Sequence, residues 1–287
     1  MSAAPFRLLR PVRQTTCTVF ASPHSGRDYP AAFLRQSVLD EREIRTSEDA
    51  FVDQLLGSVP RFGAPLLVAD VPRAYVDLNR ACDELDPALV EGFARRGHNP
   101  RVSSGLGVVP RVVAGGKPIY RGTIARSEAE GRIDRCWHPY HAQLLALLDE
   151  TRTRFGEAIL LDVHSMPHEA IESIASLGVR RPEVVLGDRF GASAGGDIVD
   201  RIEAAFQAAG LRVMRNAPFA GAYVVQTYGR PSARLHAVQI ELDRSLYMNE
   251  REIRPNGNFA GFRRVLDGVL AEIASLGAPG SQSLAAE

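Results

Sequence analysis

Apolar runs and amphipathic stretches alternate along most of the chain. CTVFASPH (17–24) reads as a short buried strand that breaks at Ser-Pro-His, and SGRDYP behind it is a turn of Gly, Asp and Pro. SEDAFVDQLLGS (47–58) carries a Ser cap, acids in its first turn and Phe51, Val52, Leu55 and Leu56 at near-helical spacing, which predicts a helix stopped at Gly57. APLLVAD (64–70) is a second apolar strand, and PRAYVDLNR (72–80) alternates loosely before turning polar. From Ala81 to about Arg135 the pattern weakens into Gly, Pro and Arg with brief apolar runs, as expected of loops and short strands over a site. HPYHAQLLALLDETRTRF (138–155) then has a clear helical period and leads through Gly156 into the strand AILLDVHS. GGDIVDRIEAAFQAAG (195–210) is a second clear helix, HAVQIELDRS (236–245) a further strand, and GFRRVLDGVLAEIASLG (261–277) a last helix.

Strands alternating with amphipathic helices indicate an α/β layered fold, in which polar residues at strand ends collect along one edge of a sheet. At 287 residues, with no internal repeat and no linker, the chain is expected to form one domain over 1–287. Residues 1–15 and the tail 278–287 are expected to be flexible ends.

Composition removes several function classes. Apolar residues make up 45% and charged ones 24%, which argues against disorder and fibrous repeats. The 34 basic and 34 acidic residues cancel, so no net field is available to hold nucleic acid or an anionic membrane. Cys17, Cys82 and Cys136 are odd in number and far apart, which fits neither a disulfide framework nor a CxxC metal site and suggests reduced thiols. The stretch MSAAPFRLLRPVRQ has no apolar run of signal-peptide length and no segment approaches membrane-spanning length, so a cytoplasmic location is expected.

Three predicted strands end in groups able to bind metal or move protons: His24 after the first, Asp162 and His164 on AILLDVHS, and Glu241 within QIELDR. Two histidines and a carboxylate with an open position suit a catalytic Zn²⁺, and a further carboxylate can serve as general base. Equally, isolated histidines at strand ends are often loop or capping residues, and Glu241 could pair with an arginine. Arg73 and Arg80 flank Asp77 and Asn79, where guanidinium forks could grip a substrate carboxylate or form a structural pair with Asp77 or Asp83. Asp162 is expected on the strand face opposite His164, hence structural rather than ligating. His138 and His141, at i and i+3 of a helix, are expected to be structural or substrate-loop residues, since no third ligand lies near them in sequence.

Taken in order, SPHSGRDYP, EDAFVD, PRAYVDLNR, GLGVVPR, IYRG, HPYH, LDVHSMP, LGDRFG and IELDRSLYM resemble the N-formylglutamate amidohydrolase family, itself similar to zinc carboxypeptidases and aspartoacylase. The resemblance implies a three-layer α/β/α domain with a mixed central sheet, of zinc-carboxypeptidase-like (phosphorylase/hydrolase-like) architecture. It also implies one Zn²⁺, or another divalent metal, and zinc-activated water that hydrolyses N-formyl-L-glutamate to formate and glutamate, a step of histidine degradation.

On that resemblance His24 and His164 are two metal ligands. The related pattern has Glu three residues after the first His, where this chain has Arg27, so Asp49 is the preferred third ligand, with Asp53, Glu48 and Asp28 as alternatives. Asp53 is placed one helical turn beyond Asp49 on the same face. Glu241 resembles the general base, Arg73 the group that stabilises the oxyanion, and Asn79 and Arg80 the grip on the α-carboxylate. Arg121, Arg111 and the loop from Tyr223 to Gly229 are candidates for a second substrate carboxylate. The competing readings are a hydrolase of another N-acyl amino acid or C-terminal peptide bond, and a metal-free binding protein on the same fold. The expected partner is a small-molecule N-acyl amino acid rather than nucleic acid or membrane.

Overall fold

The structure is a computed structural model that describes residues 4–94, 99–172 and 181–276. In chain order its elements are β1 (Phe6–Leu9), β2 (Thr18–Ser22), α1 (Ala31–Gln36), α2 (Val52–Leu55), β3 (Leu66–Ala69), α3 (Pro100–Ser103), α4 (Arg126–Arg132) and α5 (His138–Phe155). There follow β4 (Ala158–Met166), β5 (Val184–Gly187), α6 (Gly196–Ala208), β6 (Val213–Arg215), α7 (Tyr223–Tyr228), β7 (Leu235–Asp243) and α8 (Phe259–Ser275).

Uninterrupted apolar runs set the middle of the sheet. All nine residues of β4 are buried, as are eight of the nine in β7. Such runs mark strands covered on both faces, and burying each large apolar side chain contributes roughly 1.5–3 kcal/mol. The order is β1-β3-β2-β4-β7-β5-β6 in a seven-stranded sheet. β2 runs parallel to β4 and β4 parallel to β7, whereas β5 is antiparallel to β7, so the sheet is mixed and the fold α/β, as expected.

Contacts divide the described chain into two compact units, one built around residues 23–50 and 68–144, the other around 8–22, 51–67 and 145–276. In the second unit, α6 turns Ile198, Val199, Ile202 and Phe206 inward and α8 turns Phe262, Leu266, Val269 and Ile273 inward. These are the three-and-four spacings of amphipathic helices. In the first unit, the core includes a charge. Arg132 is fully buried, its guanidinium lies over the Tyr75 ring at 4.4 Å, and it donates to Tyr120 Oη at 2.6 Å and Gln36 Oε1 at 3.2 Å, with Glu128 as its ion-pair partner. Aromatic faces and a carboxylate together compensate the lost hydration of the cation.

Several expectations are corrected. The helix over 47–58 shrinks to α2, because Phe51 stands in the left-handed region at φ 68° and the chain cannot be helical through it. PRAYVDLNR, for all its loose alternation, is a run of turns, and the weak region before Arg135, expected to hold loops and short strands, contains α4, which passes through a π-helical turn (Ile133–Trp137) into α5. The N-terminal stretch expected to be a flexible end supplies β1 to the sheet. Its first three residues and the 278–287 tail lie outside the described residues. Among the described residues no helix is long and apolar enough to cross a membrane.

Candidate active site

In the first unit the site is built around Asp77. The PHSG turn after β2 lies directly on the Asp70–Val71 backbone, since a Cβ on Gly26 would meet Val71 O at 2.0 Å. Only glycine permits that approach, and it fixes the place of the neighbouring His24. His24 is buried, and its Nε2–H donates to Asp77 Oδ1 at 2.7 Å. Asp77 Oδ1 also accepts the Asn79 main-chain N–H at 2.8 Å, and Asp77 Oδ2 accepts from Arg73 Nε at 3.0 Å. Burial alone would raise the Asp77 carboxyl, but the facing His24 and Arg73 outweigh it and hold the group well below the usual carboxylate range. The DLNR turn therefore presents an anion that orients both an imidazole and a guanidinium.

On the other side of the imidazole, His24 Nδ1 lies 3.5 Å from Asp49 Oδ2, and the Asp49 N–H donates to His24 O at 2.9 Å. Two tetrahedral zinc ligands, each at 2.0–2.1 Å from the ion, would stand roughly 3.4 Å apart. The pair fits that requirement, with Nε2 held by a carboxylate as metal-binding histidines usually are. The other first-unit candidates do not share this place: Glu48 accepts from Arg45 Nε at 3.0 Å and from Tyr29 Oη at 2.7 Å, while Asp28 and Arg27 are exposed.

Arg80 is buried and anchored by main-chain carbonyls, Nε donating to Leu106 O and Nη1 to Asn79 O, each at 3.1 Å. Burial pulls its pKa below the ordinary value, against the opposing effect of Asp77. The expected structural pairing with Asp77 falls to Arg73 instead. Asn79 is buried beside Arg80, Arg121 is exposed, and Arg111 is already engaged, its Nε donating to buried Asp86 at 2.8 Å. His141 is structural as expected: it is buried, donates from Nε2 to Leu78 O at 2.9 Å and packs on Trp137 with ring centroids 4.0 Å apart.

In the second unit the site lies on two neighbouring strands. The parallel register of β4 with β7 sets Asp162 opposite Gln239 and His164 opposite Glu241, all four buried. Residues two apart on a strand share a face, so the expectation that Asp162 points away from His164 is corrected. His164 Nε2–H donates to Asp162 Oδ2 at 2.9 Å. Gln239 Nε2 donates to Glu241 Oε1 at 2.8 Å. Asp53 is half-buried in α2, and no helical face joins it to Asp49, because Phe51 breaks the helix between them. Tyr223 opens α7, next to Ala222.

Three participants were missed or misassigned from sequence: Asp77 as the anchor of His24, Asp162 as the anchor of His164, and Gln239. The signal that finds the last two is the matched pair D-x-H and Q-x-E on two buried strands.

A mixed sheet carrying a histidine and a carboxylate side by side on its central strands is a layout suited to hydrolysis. The sequence model of the N-formylglutamate amidohydrolase family matches residues 16–248. N-formylglutamate deformylase of Pseudomonas putida is 30% identical over 241 residues, 82% of each chain, and that of Pseudomonas aeruginosa is 30% identical over 237 residues, 81% of this chain and 82% of the other. The crystal structure of N-formylglutamate amidohydrolase from Ralstonia eutropha JMP134 superposes with a TM-score of 0.88 at 37% identity, covering 95% of this chain and 98% of that one. A gene product of Agrobacterium tumefaciens, 17% identical with a TM-score of 0.61, shares the fold. The chain thus belongs to the N-formylglutamate amidohydrolase family and is an enzyme that acts on an amide bond.

Proposed function

We propose that the enzyme hydrolyses N-formyl-L-glutamate to formate and L-glutamate, as the deformylase relatives are named for doing, in a step of histidine degradation. His24, Asp49 and His164 would hold one divalent cation, Zn²⁺ being the first choice for two imidazoles and a carboxylate. One fact supports that set: each histidine has Nε2 tied to an aspartate, which directs Nδ1 toward a ligand.

Such an ion, when bound, would supply Lewis acidity, lowering the pKa of water to about 7. Glu241 takes the proton from the attacking water and returns it to the leaving amine nitrogen. Arg73, kept in place by Asp77, donates to the oxygen that becomes negative. Arg80 and Asn79 grip the α-carboxylate, the Arg80 fork being pre-set by its two carbonyl anchors. Arg121 and Tyr223 are proposed for the second carboxylate and the substrate loop.

The observation that carries this reading is the register of His164 with Glu241. Metal content and formate release, measured together before and after chelation and zinc return, test it. Formate that disappears with the metal and returns with zinc is the expected result. Bound metal without formate overturns the substrate, to be followed with N-acetyl and peptidyl compounds, and activity indifferent to chelation overturns the metal.

A further inference from the structure

Gln239 has no part in the chemistry just described, yet it is buried to 4% exposure and its amide is used at both ends. Its Oε1 accepts the Ala222 N–H at 3.0 Å, and its Nε2 donates to Glu241 Oε1 at 2.8 Å. A main-chain N–H can only donate and a carboxylate can only accept, so the orientation of the amide is dictated by its two partners. We infer that Gln239 is the positioning residue for Glu241, and that it ties the carboxylate to the loop that introduces Tyr223. This rests on Glu241 being the general base.

Two further features of the second unit support the assignment. The first is the repeat of one arrangement on two strands: Asp162 and His164 on β4, Gln239 and Glu241 on β7, each supporting residue two places before the group it holds and opposite the other supporting residue. The second is Gly187, which pairs with Gln239 on the far side of β7, in β5. A Cβ there would meet Ala220 C and Gly221 N at 2.7 Å. Glycine at this position lets the 220–222 backbone come close enough for the Ala222 N–H to reach the Gln239 amide. A glutamate has three side-chain torsions, so holding Oε1 fixes the plane of the carboxylate and the direction in which Oε2 points.

The test uses zinc-loaded full-length enzyme carrying Gln239→Met, which keeps the volume and removes both bonds, and Gln239→Glu, which keeps an acceptor for Ala222 and removes the donor to Glu241. Both should lower kcat by about 10- to 100-fold at unchanged metal stoichiometry, with KM within about threefold. In a Glu241→Ala background Gln239→Met should cause no further loss, because a residue acting only through Glu241 has nothing left to position. A crystal structure of Gln239→Met should show the Glu241 carboxylate displaced or split between orientations. Wild-type kcat in Gln239→Glu, an additive loss in the double variant, or an unmoved Glu241 carboxylate would each overturn the assignment. Should Gln239→Met fail to fold, the same-sized Gln239→Glu carries the kinetic and crystallographic comparison. Wild-type enzyme that releases no formate would overturn the proposed substrate alone, since the Glu241 orientation is read without substrate.

Discussion

Glu241 stands directly opposite His164 on the parallel ladder between β4 and β7, both buried. No loop movement is needed to bring the carboxylate beside the imidazole, because strand pairing alone sets their separation. Glu241→Ala should therefore retain metal and a normal thermal midpoint while kcat falls by about 10²- to 10⁴-fold. Metal analysis and steady-state kinetics on one preparation check this, and near-normal turnover with metal bound would remove Glu241 from the role of base.

Asp162 acts on the site through the His164 imidazole. Asp162→Ala should weaken zinc affinity by about 10- to 100-fold, the usual effect of losing a carboxylate behind a metal-bound histidine. Competition against a chromophoric chelator reads this without turnover. Wild-type affinity would mean that the His164 ring is held by packing rather than by the carboxylate.

Arg80 and Arg111 should behave oppositely. In Arg80→Lys a single ammonium replaces a planar fork already anchored to Leu106 O and Asn79 O. KM should rise by about 10- to 100-fold, with a smaller change in kcat. Arg111 is already engaged with Asp86, so Arg111→Ala should leave KM within about threefold. Similar KM values for wild type and Arg80→Lys would move the carboxylate grip elsewhere.

His141 makes stability depend on pH. Burial, the largest cause, lowers its pKa from 6.5 to about 4, against the opposing effect of its bond to Leu78 O. Below pH 6.5 the unfolded chain takes up a proton that the fold refuses, so stability is lost as pH falls from about 6.5 to about 4 and this contribution then levels off. The full effect is on the order of 3 kcal/mol. Urea midpoints at pH 7, 5.5 and 4 should fall more steeply for wild type than for His141→Gln, and parallel curves would contradict the assignment.

The sheet was largely legible where burial makes long, unbroken apolar runs, as in β4 and β7, and the helices where the 3.6 period persists, as in α5, α6 and α8. Four-residue and three-residue strands such as β5 and β6 hold too little pattern to stand out. The expected 47–58 helix had the composition of one, but the left-handed Phe51 was decided by tertiary packing rather than by local preference. Among the candidate site residues, His24, His164 and Glu241 stood out in the sequence because strand ends in α/β folds collect chemistry. Asp77 and Gln239 did not, since a supporting residue is recognised only once its partner's position is known.

The π-helical turn before α5 brings Trp137, the only tryptophan in the chain, against the Arg80 backbone, its Nε1–H donating to Arg80 O at 2.8 Å and its ring packed on His141. Tryptophan emission from this enzyme therefore comes from one place, hydrogen-bonded to the main chain of the residue whose guanidinium is proposed to grip substrate. Filling of that grip, and protonation of the imidazole beneath the indole, can each be followed as a change in intrinsic fluorescence with no label attached.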